Sequence, residues 1–172
     1  MRELKVIADL PGYPPEVGAA LWRLEDTRRR TLEVLGEMPA DTVDRDMGGN
    51  SIGTILYHLA LIETDWLFVE VLEQPYADDI QALLPADDRD QDGVLTLIRN
   101  ETLDQHLARL AAIRATLLDR FRGMTAAEFH RPRELPQYAV SPAWVLHHLS
   151  QHEAEHRGEM GSIIAALKQE GV

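Results

Sequence analysis

A four-helix bundle is the fold this sequence predicts. Four long segments carry apolar residues at helical spacing, and no comparable segment alternates apolar and polar residues as a half-buried strand does. A length of 172 residues suits one hydrophobic core better than two. The expected organisation is therefore all-α: a single domain over 1–172, with a long crossover connection and a short extra helix before the last long helix.

The first helix is expected from about Pro15 to Leu35, starting at a proline-compatible "PPE" and turning Leu21, Leu24, Leu32 and Leu35 inward. The second starts near Asn50 or Ser51, either of which can cap free backbone N–H groups, with a stripe of Ile55, Leu59, Ile62, Trp66 and Val69. Between Glu73 and Asp92 lies an acidic, two-proline connection that is long for an antiparallel hairpin and could cross the bundle rather than turn tightly. The third helix is placed from about Gly93 to Phe121, with Leu103, Leu107, Leu110, Leu117 and either Ile113 or Arg114 on its inner face. Thr125 followed by Glu128 has capping-box spacing and predicts a short helix. The last helix opens at Ser141 as N-cap with Pro142 at its first position, and runs to about Lys168, with Gly171 beyond.

Composition narrows the function. Seventeen basic against 29 acidic residues give a formal charge of −12, a field that repels nucleic-acid phosphates and anionic membrane surfaces. No apolar run is read as approaching the roughly 20 residues of a membrane span, and the charged, proline-rich opening is unlike a secretory signal. The cytoplasm is the expected location, without nucleic-acid or membrane partners. The chain has no cysteine, so a transition-metal site must use histidine with carboxylates or water, and any thiol in its chemistry comes from outside.

The chemistry-bearing stretch is "HHLSQHEAEHRGEM", residues 147–160, in which His152, Glu153 and His156 spell H-E-x-x-H. Residues four apart on a helix differ by about 40° in direction and about 6 Å in rise, so His152 and His156 can face one ion. Both fall on the inward stripe with Leu149, Met160 and Ile164, while His147 falls on the opposite side. Imidazoles on such a stripe need partners, either a shared metal or side chains and water. His58, at the edge of the stripe of the second helix, reads alone as structural or solvated; joined to the pair it completes a three-histidine set with open positions for water or substrate. His106 and His130 are read as surface or structural residues. Glu153 lies on the inner side of its helix, where it supports a ligand such as His58 or pairs with an arginine of a neighbouring helix, with a place as fourth ligand the lesser alternative.

The combination of "NSIGTILYHLALIETDW" with "SPAWVLHHLSQHEAEHRGEMGSIIAAL" resembles the DinB/YfiT-like family of metal-binding four-helix bundles over nearly the whole chain. The family pattern of one histidine on the second helix and an H-x-x-x-H pair on the last, written "HE..HRG", falls on His58, His152 and His156. The resemblance implies a divalent ion, zinc or nickel, and a bundle with a long crossover. It also implies, from relatives that use a low-molecular-weight thiol such as mycothiol or bacillithiol, a transferase or isomerase acting on a small electrophilic substrate. A homodimer is the assembly it points to.

Three functions compete. The first is a metal-dependent transferase or isomerase in which an external thiol or metal-bound water attacks a small electrophile. The second is a metal-stabilised binding or stress-response protein without catalysis. The third is an H-E-x-x-H metallopeptidase with Glu153 as general base, which lacks a downstream ligand: in the extended pattern H-E-x-x-H-x-x-G-x-x-H, Glu159 stands at the glycine position and Ser162 at the last histidine. Arg157 is expected to bridge helices or to meet an anion. Trp22, Trp66 and Trp144 are expected as core or pocket walls.

Overall fold

The computed structural model describes residues 2, 4–46 and 48–171. Helix α1 spans Pro15–Leu35 and α2 spans Ile52–Asp65, continuing as a π-helical turn over Trp66–Val71. A one-turn helix α3 (Asp78–Gln81) interrupts the crossover, α4 covers Leu103–Phe121 and α5 Ala126–His130. Two short antiparallel strands, β1 (Arg133–Glu134) and β2 (Ala139–Val140), lead into α6, Pro142–Gln169. The all-α bundle is the fold expected from the periodicity.

Local chemistry sets most boundaries. Ser51, Thr125 and Ser141 each accept a hydrogen bond from the backbone N–H three residues on, as N-cap side chains do. The third long helix departs from expectation: it begins ten residues later than Gly93, at Leu103. Its true start is a reciprocal capping box, with Thr102 Oγ1 accepting from the Gln105 N–H and Gln105 Oε1 accepting from the Thr102 N–H at 2.7 Å. Residues 94–98 are instead extended crossover, in which Leu95 and Ile98 are buried and Val94 and Leu97 exposed. Leu32 and Val69 also leave their predicted stripes for solvent, at 43% and 38% exposure.

The core divides along the bundle. One apolar cluster gathers Leu21 and Leu24 of α1, Phe68, Leu117 and Phe121 of α4, and Leu146 and Leu149 of α6. The other gathers Leu35, Ile52, Ile55, Leu110, Ile113, Met160 and Ile164. On each long helix one buried charged residue stands between the two clusters: Arg28, Glu63, Arg114 and Glu153. Followed along the chain, α1 and α6 pass from the first cluster to the second, while α2 and α4 pass from the second to the first. Helices α2 and α4 are therefore parallel neighbours, and the chain must return the length of the bundle between them.

Ile52–Val71 is, by length and mean hydropathy (1.3), apolar enough to cross a membrane, which corrects the expectation that no run approaches a span. Within the bundle 72% of that window is buried, so its apolar character on most sides is that of a central helix packed between α4 and α6.

Candidate metal centre

His58, from the middle of α2, and His152 and His156, one turn apart on α6, bring their rings together. One ligand nitrogen from each lies within 4.8 Å of the other two. His58 is buried and the two α6 imidazoles are half-buried. The ring centroids stand 5.0 Å apart for His58 with either partner and 4.6 Å for His152 with His156.

Two carboxylates orient these rings. His58 Nδ1 lies 2.5 Å from Asp88 Oδ1, and His156 Nδ1 lies 2.9 Å from Glu159 Oε2. A carboxylate only accepts, so each Nδ1 carries a proton, and Nε2 is the nitrogen of each ring left to face an ion. Such pairing fixes tautomer and orientation in metal-ligating histidines. His58 Nε2 and His152 Nε2 face one another at 3.1 Å. At this distance the two nitrogens are bridged either by a proton on His152 Nε2 or by a cation, and with the third imidazole beside them the donor set fits a metal ion.

The electrostatics agree with ligation. Burial, reinforced by His156 and His58, pushes His152 down to about 3. Burial also lowers His58, against the opposing pull of Asp88. Both are neutral near pH 7, the form that binds metal.

Asp88 gave no signal in the sequence, because it lies 30 residues from His58 in an acidic loop where several carboxylates look alike. Tyr57 helps to place that loop: its hydroxyl donates to the Ala86 carbonyl and accepts from the Ala86 N–H, both at 2.8 Å. The role of Glu159 was legible in principle, since it follows His156 at i,i+3 on one helix. Asn50 Nδ2, just before α2, steadies it with a 3.1 Å bond to Oε1. The exchange of Asp88→Asn is expected to weaken metal binding about 10- to 100-fold, measured by competition with a chromophoric chelator, with the fold unchanged by circular dichroism.

Of the roles expected for Glu153, the structure shows the pairing with arginine. Its Oε1 accepts from Arg28 Nε at 2.7 Å and its Oε2 from Arg114 Nη2 at 3.3 Å. Glu63 shares the same guanidiniums: Arg114 Nε and Nη2 at 2.6 and 2.8 Å, and Arg28 Nη2 at 3.0 Å. Alternating signs across four helices make this buried layer self-consistent. With both oxygens engaged by arginines, Glu153 is not free to serve as the general base that the peptidase reading requires.

The remaining candidates separate. His106 is buried, against the surface alternative given for it, and Arg109 Nη1 lies 3.1 Å from its Nδ1. His130 is exposed and paired with Glu16 at 2.6 Å. His147 points outward. His148 is half-buried and packs flat on Trp144, with centroids 5.1 Å apart and planes at 8°. Arg157 bridges helices, donating to the Thr27 carbonyl of α1 at 3.4 Å.

A search of the curated proteins finds no match to this chain. The family model of the DinB superfamily matches residues 23–160, well over half of the chain. With all three imidazoles and the buried charged layer inside that match, the chain belongs to the DinB superfamily.

Proposed function

We propose that the protein is a divalent-metal-dependent transferase or isomerase that uses an external low-molecular-weight thiol on a small electrophilic substrate. The observation that carries the reading is the donor set: among the described residues, the candidate group consists of three imidazoles from two helices and no fourth side chain. A set of three protein ligands is the pattern of catalytic sites, which keep a position for an exogenous group, whereas structural sites are closed by four. Zinc or nickel suits an all-imidazole set.

When bound, such an ion supplies Lewis acidity that favours the thiolate form of a thiol at neutral pH. The chain's own residues do the rest. Asp88 and Glu159 hold the tautomers of His58 and His156, and burial keeps His58 and His152 neutral. The absence of cysteine leaves no internal thiol to compete as a ligand. A charge of −12 suits a small-molecule substrate better than nucleic acid.

Cobalt substitution tests the reading. Addition of 2-mercaptoethanol to the cobalt form is expected to produce a sulfur-to-cobalt charge-transfer band. A spectrum that stays unchanged, together with a large loss of thermal stability on metal removal, would favour the second reading, in which the ion staples α2 to α6.

A further inference from the structure

An aromatic cavity lies beside the metal centre and is used by none of its ligands. Trp66, Tyr138 and Trp144 line a surface cavity of about 670 Å³, a size typical of small-molecule sites. Trp144 and Tyr138 are 47% and 46% exposed, and Trp66 lies 5.3 Å from Trp144 and 6.4 Å from Tyr138 between ring centroids. The three rings form one contiguous wall, and no lysine or arginine lines the cavity.

A buried carboxylate touches the hydroxyl end of that wall. Glu70, on the π-helical turn, is 5% exposed; its Oε1 accepts from the Tyr138 hydroxyl at 2.8 Å, and its Oε2 has no hydrogen-bond partner. Burial raises its carboxyl above the ordinary value, the bond from Tyr138 opposes this, and Asp65, an anion of the same sign, adds to the rise. A phenol whose O–H donates a hydrogen bond to a carboxylate also gains electron density on its ring face. The cavity thus offers π faces and a buried carboxylate at the hydroxyl end of Tyr138, and its one basic lining residue, His130, is paired with Glu16 at 2.6 Å.

We propose that this cavity binds the organic ammonium group of a ligand, a quaternary or alkylated amine set against the faces of Trp66, Tyr138 and Trp144 with Glu70 as counter-charge. A cation is attracted to the ring quadrupoles and to the carboxylate together, whereas a neutral group of equal shape gains only contact area. An anion is disfavoured by Glu70, Asp65 and the charge of the whole chain. His148 links the cavity to the metal centre: it stacks on Trp144, lies 4.4 Å from Trp66 and stands 5.9 Å from His152. That the ammonium belongs to the substrate of the metal centre rests on the function proposed above; its binding in the cavity does not.

Titration of the protein as purified with choline and with its neutral isostere 3,3-dimethylbutan-1-ol, followed by tryptophan fluorescence, tests the proposal. Choline is expected to bind about tenfold more tightly than the alcohol. Glu70→Gln, which keeps an acceptor for Tyr138, is expected to abolish that preference, and Trp144→Ala to weaken choline binding, both with unchanged metal uptake. Equal affinities for the two probes, binding of neither, or a preference that survives Glu70→Gln overturns the proposal. Failure of the function proposed above is seen separately, as a cobalt spectrum that 2-mercaptoethanol leaves unchanged, and leaves the choline titration as it stands.

Discussion

Replacement of Arg114 by alanine is expected to destabilise the protein by about 3–5 kcal/mol, a large share of the roughly 5–15 kcal/mol that holds a domain folded. Arg114 is 5% exposed and bonds three carboxylates, those of Glu63, Glu153 and Glu25, the last at 2.6 Å. Its removal leaves Arg28 as the one guanidinium facing Glu63 and Glu153, so a buried carboxylate loses its counter-charge while solvent remains excluded. The cost is mainly that of the stranded anion, and it exceeds the worth of the ion pair itself. Urea unfolding of the variant should show a lowered midpoint with an unchanged slope, and alanine at exposed Arg29 should leave the midpoint close to wild type.

The same layer gives stability a pH dependence of definite sign. Burial alone would raise the Glu63 carboxyl, but the guanidiniums of Arg114 and Arg28 outweigh it and hold it below the ordinary 4.5. With the folded value below the unfolded one, the unfolded chain binds the proton first, so stability rises with pH through that window. The contribution of Glu63 is complete above about pH 4.5 and is lost as the pH falls through the lower folded-state value. Glu63→Gln should flatten this acid limb of the denaturation profile; an unchanged limb would place the linkage elsewhere.

Loss of metal binding is the second large effect, expected for His58→Ala. His58 is the one imidazole that α2 contributes, and its Nε2 faces His152 Nε2 at 3.1 Å. Two ligands on one helix turn would remain, without the residue that ties α2 to α6 at this point. Because loss of an outer carboxylate already costs about 10- to 100-fold, removal of a ligand should lower affinity by more than about 100-fold. Elemental analysis after dialysis should find the variant essentially metal-free, with His147→Ala, on the exposed side of α6, retaining the wild-type content. Equal metal in His58→Ala and wild type would remove His58 from the ligand set.

The elements most legible in the sequence were those written in local chemistry. Ser51, Thr125 and Ser141 mark helix starts because an N-cap needs only a side-chain oxygen three residues ahead of an N–H. The start of α4 was equally local, in Thr102 and Gln105, but the apolar run from Val94 to Ile98 extended the helical pattern and concealed it. The ambiguous face of α4 has a physical cause: Ile113 and Arg114 are both buried, one in apolar packing and the other in the charged layer, so hydrophobicity alone could not choose between them.

By itself the sequence determined an all-α bundle, an acidic connection too long for a tight hairpin, and three histidines on two helices that could share an ion. The tertiary structure alone decided what those residues face. Asp88 reaches His58 across 30 residues through a loop tied down at Tyr57, and Glu153 turns from the histidines beside it in sequence to arginines on α1 and α4. The reason is one of range: helix periodicity and capping act within a few residues, whereas the partner of a buried charge is set by which helices pack together and in which direction they run.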